Sequence, residues 1–251
     1  MHRYAVLVAA STALLFVSGP AVSSNEARPL YTLGQTHMWL GALVGLLTVG
    51  LAISFWRAKE RAWVQRLAWM ALGTYAVESL LGLMPEPLSA FLRISHSLLA
   101  QLFFSTTVAM VAFTSNELNQ SLSPEESGAL LKLVAKAIPA LVFSQVALGI
   151  VFRHGIIGIA PHILWAFVVA LSFLLVIAAT RDAKQVEVRR AGVIFTVIAA
   201  VQILFGFALF VMQAVDADPT VIIVATAVHA TTGALTLAST VMMAILIRRA
   251  R

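Results

Sequence analysis

The sequence predicts an all-α integral membrane protein, eight transmembrane helices arranged as two pseudo-symmetric four-helix bundles. Three observations predict it. Of the 251 residues, 60% are hydrophobic and only 11% charged, a balance that no soluble core requires. Cutting the chain at its charges and prolines leaves eight apolar stretches, 4–22, 35–55, 66–83, 92–114, 133–152, 160–180, 191–213 and 220–247, each near the ~20 residues that cross ~30 Å of hydrocarbon. The pattern of the first four stretches recurs in the last four. Lipid offers backbone polar groups no partner, and the stretches are too long for tilted barrel strands, so they are helices.

The first stretch follows Met1-His2-Arg3 and ends in Gly19-Pro20-Ala21-Val22-Ser23-Ser24. It is either a cleaved signal peptide or, the reading preferred here, a retained helix. The second opens with His37, the third carries Glu78, and the fourth opens near His96. A long polar segment then divides the chain: residues 1–115 form the first bundle, 116–130 a cytoplasmic linker and 131–251 the second bundle. In the second half His162 opens the sixth stretch and His229 lies within the eighth. A further echo aligns Glu78-Ser79-Leu80-Leu81-Gly82 with Gln202-Ile203-Leu204-Phe205-Gly206, and Gln145-Val146-Ala147-Leu148-Gly149 in the fifth stretch is similar.

Charge sets the orientation. With the amino terminus inside, 14 of the 17 Lys and Arg residues fall in the cytoplasm and only Arg28, Arg93 and Arg153 outside, the bias expected of a plasma-membrane protein of bacterial type with both termini cytoplasmic. The net charge of +6 is then a topology signal directed at anionic headgroups of the membrane lipid and does not indicate nucleic-acid binding. Cysteine is absent, so the outer loops hold no disulfide and no thiolate ligand exists. The methionines form no copper-binding run, and Trp39, Trp56, Trp63 and Trp69 suit interfacial anchoring.

The four intramembrane histidines fall into two pairs, His37 with His96 and His162 with His229, all in the outer half of the bilayer. A lone histidine at a helix end is usually an interfacial hydrogen-bonding residue. Four in repeat register, in a medium where ionisable groups are rare and usually functional, point instead to axial ligation of haem iron between helices. Each is followed one turn later by a small residue, Gly41, Ala100, Ala166 or Gly233, which either leaves room beside the ring or simply lines a helix contact. Arg28, Arg93 and Arg153 are placed to pair with haem propionates or to snorkel toward headgroups. Glu78 either relays protons, pairs with a cation, or is a protonated, hydrogen-bonded helix contact. His154 belongs to a loop, and His2 carries no signal.

Three segments, Ile94-Ser95-His96-Ser97-Leu98-Leu99-Ala100-Gln101-Leu102-Phe103-Phe104, Gln145-Val146-Ala147-Leu148-Gly149-Ile150-Val151-Phe152-Arg153-His154 and Val228-His229-Ala230-Thr231-Thr232-Gly233-Ala234-Leu235, resemble in order and spacing those of the haem A synthase (cytochrome oxidase assembly) family. The resemblance covers most of the chain. It implies two haem sites with His37, His96, His162 and His229 as iron ligands, one holding haem b and the other haem O. It also implies oxidation of the C8 methyl of haem O to the formyl of haem A, with a haem O donor enzyme and a terminal oxidase as partners. The family carries a Glu-x-x-His-Arg motif where this chain has Gly34 and Met38, and the matching arginine of the second half is Ile163. Glu26 is the nearest replacement for the glutamate, with Glu78 a distant second. Loss of these residues favours an alternative, a non-catalytic haem b electron carrier or a haem-handling assembly factor. A proton-relay transporter is disfavoured, because no stretch is plainly broken at mid-membrane.

The cysteine-free background makes the orientation directly testable. Lys184→Cys is expected to react with a membrane-impermeant maleimide only from the cytoplasmic side and Asp216→Cys only from outside; the reverse pattern would invert the topology.

Overall fold

The computed structural model describes residues 1–24, 31–84, 89–115 and 128–249. Among these there are eight helices and no strand. In chain order they are α1 (His2–Ser24), α2 (Tyr31–Arg57), α3 (Ala62–Gly82), α4 (Ala90–Thr114), α5 (Ala129–Arg153), α6 (Ile159–Arg181), α7 (Val186–Ala214) and α8 (Pro219–Arg249). Most of the linker expected at 116–130 lies outside the described residues.

Local chemistry sets the helix ends. Ser89 caps α4 by accepting from the Leu92 amide at 3.3 Å. Before α8, Asp218 accepts from Thr220 N–H at 2.8 Å, and Pro219 takes the first helical position, where a missing N–H costs nothing. At the end of α5, Gly155 (φ 72°) carries the chain through a Schellman turn in which Ile156 N–H donates to Val151 O. Lys59 and Asp216 close α2 and α7 in the same left-handed conformation. Proline at position 139 leaves α5 continuous.

Pro20, inside α1, cannot donate to the carbonyl of Phe16 four residues earlier. In hydrocarbon that oxygen needs another partner. The hydroxyl of Thr231 on α8 lies 3.3 Å from it, shared with its own Ala227 carbonyl at 2.7 Å, and Arg153 donates to the Pro20 carbonyl. The carboxyl-terminal end of α1 is thus tied to both α5 and α8.

Contacts between helices run in two circuits. In the first, α1 packs on α2, α2 on α3, α3 on α4, and α4 back on α1; in the second the same order links α5, α6, α7 and α8. Each circuit has its own core. Val8, Val44, Phe55, Phe103 and Met110 are buried in the first, and Ile138, Val176, Phe195, Leu237 and Met243 in the second. The circuits meet where α8 lies against α1 and α4, around Phe104, Ala234 and Ala238 with Phe16 packed beside them.

Seven of the helices are long and apolar enough to cross a membrane. α3, at 21 residues the shortest, is the exception, since Arg66, Glu78 and several polar residues dilute its apolar sequence. Large apolar side chains face outward along the helices, Trp39 at 76%, Leu46 at 73% and Phe91 at 74% exposure. A surface of this kind is suited to hydrocarbon and not to water, and the protein is membrane-embedded.

Within the first circuit, the Tyr75 hydroxyl donates to Gly41 O at 2.6 Å, and a methyl at Gly45 would lie only 2.7 Å from Tyr75 Cζ. Gly45→Ala is therefore expected to destabilise the protein by about 1–3 kcal/mol through overpacking, read as a lower thermal midpoint in detergent.

Candidate functional site

The four histidines stand on α2 (His37), α4 (His96), α6 (His162) and α8 (His229). In each circuit the two histidine-bearing helices lie across the ring from one another and pack chiefly on the intervening helices. The rings of His162 and His229 have centroids 6.5 Å apart and planes at 89°. The rings of His162 and His229 thus meet across the second circuit, while His37 and His96 stand on diagonal helices of the first. All four residues are half-buried.

Each histidine is held by the helix that precedes its own. The hydroxyl of Ser18 on α1 donates to Leu15 O at 2.9 Å, so its oxygen accepts the Nδ1–H of His37, also at 2.9 Å. His96 Nδ1 lies 2.9 Å from the backbone oxygen of Glu78 on α3 and 3.5 Å from its Oε1. A carbonyl oxygen can only accept, so Nδ1 of His96 carries the proton. In the first circuit both rings are thereby fixed as Nδ1–H tautomers, which leaves each Nε2 as an open lone pair. Donation of the Nδ1–H to a carbonyl or hydroxyl is the common way a metal-binding imidazole is oriented.

The second circuit uses amides at the same places. Gln145 on α5 sets its Nε2 3.1 Å from His162 Nδ1 and 3.1 Å from the His162 carbonyl, and its Oε1 is buried without a hydrogen-bond partner. On α7, Gln202 accepts through Oε1 from Thr232 and points Nε2 at His229 Nε2, 3.4 Å away. His229 Nδ1 is buried and unpartnered. Phe152 stacks beside His162, with centroids 6.4 Å apart and planes 15° from parallel. Buried polar atoms left without a partner are uncommon in native proteins and call for a bound group or water.

The remaining predicted positions divide. The carbonyl of Gly41 receives Tyr75, and Gly233 is buried against Gln202, whose Nε2 would sit 3.1 Å from a methyl there. Ala100 and Ala166 are half-buried on α4 and α6. Arg93 lies on α4 one turn before His96, and Arg153 is engaged with Pro20. Glu26 and Arg28 lie outside the described residues. Glu78, only 7% exposed, is a partner of His96. Sequence reading had noticed that Glu78, Gln145 and Gln202 align, but not that each lies beside a histidine of the next helix.

Could the residues present hold a metal? Among the described residues no group of three or more His, Asp or Glu side chains is arranged around one point, as a metal held by protein ligands alone would need. Paired imidazoles across a helical ring are a donor set of another kind, sufficient for an iron whose remaining ligands come from a porphyrin. The first circuit offers such a donor set in the Nε2 atoms of His37 and His96, whose Nδ1 atoms are engaged. The second fits in the placement of its rings and retains two unsatisfied polar atoms. In comparisons with known proteins, no family model matches the chain and no curated protein matches it.

Removing the acceptor of the His37 Nδ1–H should be costly. Ser18→Ala is expected to destabilise the protein by about 1–3 kcal/mol, the cost of a buried unpaired donor, whereas Ser18→Thr retains most of the parental thermal midpoint in detergent.

Proposed function

We propose that this chain is a membrane haem protein with two sites, His37 with His96 and His162 with His229, one in each of two pseudo-symmetric four-helix bundles. The single observation that carries the reading is the diagonal pairing of half-buried imidazoles, with both Nδ1 atoms of the first pair donating to oxygen and both Nε2 lone pairs left open. In this reading α3 also crosses the bilayer, its 21 residues giving roughly 31 Å at 1.5 Å per residue. The span count is then eight, with both termini in the cytoplasm of a bacterial-type plasma membrane.

The reaction that fits best is that of a haem A synthase-like oxidoreductase, oxidising the C8 methyl of haem O toward the formyl of haem A. Its substrate would come from a haem O-forming enzyme and its product would go to a terminal oxidase. A bound haem would supply the redox chemistry at iron. The chain's own part is positional: His37, His96, His162 and His229 ligate, Ser18 and the Glu78 carbonyl fix ring orientation, and the apolar circuits exclude water. Arg93 and Arg153, with Glu26 and Arg28 from the sequence between α1 and α2, are the groups assigned in this reading to the propionates or the reacting edge.

A second reading, a non-catalytic haem b electron carrier or haem-handling assembly factor, draws on a specific feature. The positions flanking His37 hold Gly34, which faces open space, and an exposed Met38, with no acid or cation at either. Purified protein co-expressed with a haem O source separates the two. The synthase reading predicts haem A or its hydroxylated precursor on extraction, lost in His37→Ala and His96→Ala. Haem b with unconverted haem O would select the carrier, and protein free of haem would overturn both.

A further inference from the structure

Four glycines, one on each odd-numbered helix, meet the four histidines in the same way. A methyl built on Gly19 would lie 3.2 Å from Cε1 of His37; on Gly82, 3.0 Å from His96; on Gly149, 2.9 Å from His162; and on Gly206, 2.8 Å from His229. In every case Cε1 is the nearest ring atom, Nδ1 the next and Nε2 the third. The four rings therefore share one disposition: each rests its Cε1 corner on the glycine of the supporting helix, with Nδ1 the nearer and Nε2 the farther of its two nitrogens, and in the second circuit Gln145 and Gln202 of the same supporting helices lie 3.4 Å from the Nε2 atoms of His162 and His229. Neither His2 nor His154 rests on a glycine in this way.

Glycine is unfavourable inside a helix, and its recurrence beneath each of these rings needs a local cause. The distances supply it, since any side chain would push against the ring at less than ordinary contact. One turn before three of the glycines stand Glu78, Gln145 and Gln202, each beside the same histidine that its glycine supports. Before Gly19 the equivalent position is Leu15, and the adjoining Ser18 supplies the polar contact instead.

We propose that Gly19, Gly82, Gly149 and Gly206 are positioning residues and that the chain is built from four copies of one ligand-presenting hairpin. Each copy is a supporting helix with a glycine seat, followed by a helix whose imidazole rests its Cε1 corner on that seat. The inference rests on the haem reading for its purpose, but the seat is a property of the protein alone and can be read without haem. By its closeness to the ring, substitution at Gly206 disturbs its histidine most and substitution at Gly19 least.

The test compares Gly206→Ala, Gly82→Ala and Gly19→Ala with Gly73→Ala, a control on α3 where a methyl meets nothing within 4 Å. In full-length protein purified in detergent, ¹⁵N NMR of the histidine rings in the haem-free state reports the environment of each imidazole. In haem-loaded protein, the electron paramagnetic resonance g-values of the ferric state report the ligand planes. The seats predict shifted ring ¹⁵N resonances and shifted g-values in the three seat variants, graded from Gly206 down to Gly19, with Gly73→Ala matching the parent. Folded seat variants with parental ¹⁵N resonances would overturn the inference. Gly19→Ala, the mildest, decides it should the tighter seats fail to fold. A parent protein that never takes up haem would overturn the haem reading alone, and the haem-free NMR comparison would still decide the seats.

Discussion

A ring nitrogen in hydrocarbon must find its partner inside the protein, and the architecture around the histidines follows from that constraint. The imidazoles of His37 and His96 reach back to the preceding helix for a hydroxyl or carbonyl oxygen, which requires two helices to approach closely at that level. Close approach requires a residue without a side chain, and Gly19 and Gly82 provide it. Hydrogen bonding, helix spacing and ring orientation are thus one arrangement. The same constraint governs the Phe16 carbonyl released by Pro20, which draws Thr231 across from α8 and helps bind the two circuits together.

The two halves repeat a plan without being equivalent. Oxygen atoms receive the Nδ1 protons in the first, while amides face the rings in the second and leave Gln145 Oε1 and His229 Nδ1 unsatisfied. Their junction is also uneven. α8 packs broadly on α1 and α4, whereas α5 touches α4 only slightly. In the haem reading proposed above, two sites with different hydrogen bonding around their ligands would differ in redox potential.

Much of this was legible in the sequence, and the remainder has a physical reason for being hidden. The helices follow from hydropathy, although α2, α3, α5 and α7 begin about a turn earlier than their apolar stretches because a helix continues through interfacial Thr, Gln, Lys and Arg residues. The four histidines stand out because an imidazole in a membrane span is rare. α3 is the weak point: Arg66 and Glu78 lower its apolarity, and Glu78 could be recognised as buried without revealing that its backbone and carboxylate address His96. The glycine seats were hidden in a chain with 14 glycines, since what distinguishes Gly82 from Gly73 is a neighbour on another helix. Glu26 and Arg28 fall outside the described residues, so their part in the reading rests on sequence alone.

The central claim is that the histidines act as two cross-ring pairs, and the most direct measurement is haem stoichiometry by pyridine haemochrome assay on single and paired histidine variants. The account predicts two haems per chain in the parent and one in each single alanine variant. His37→Ala with His96→Ala should also leave one, since both serve a single site, and His37→Ala with His162→Ala should leave none. Loss of a second haem in the first combination, or its retention in the other, would contradict the pairing on which the account depends.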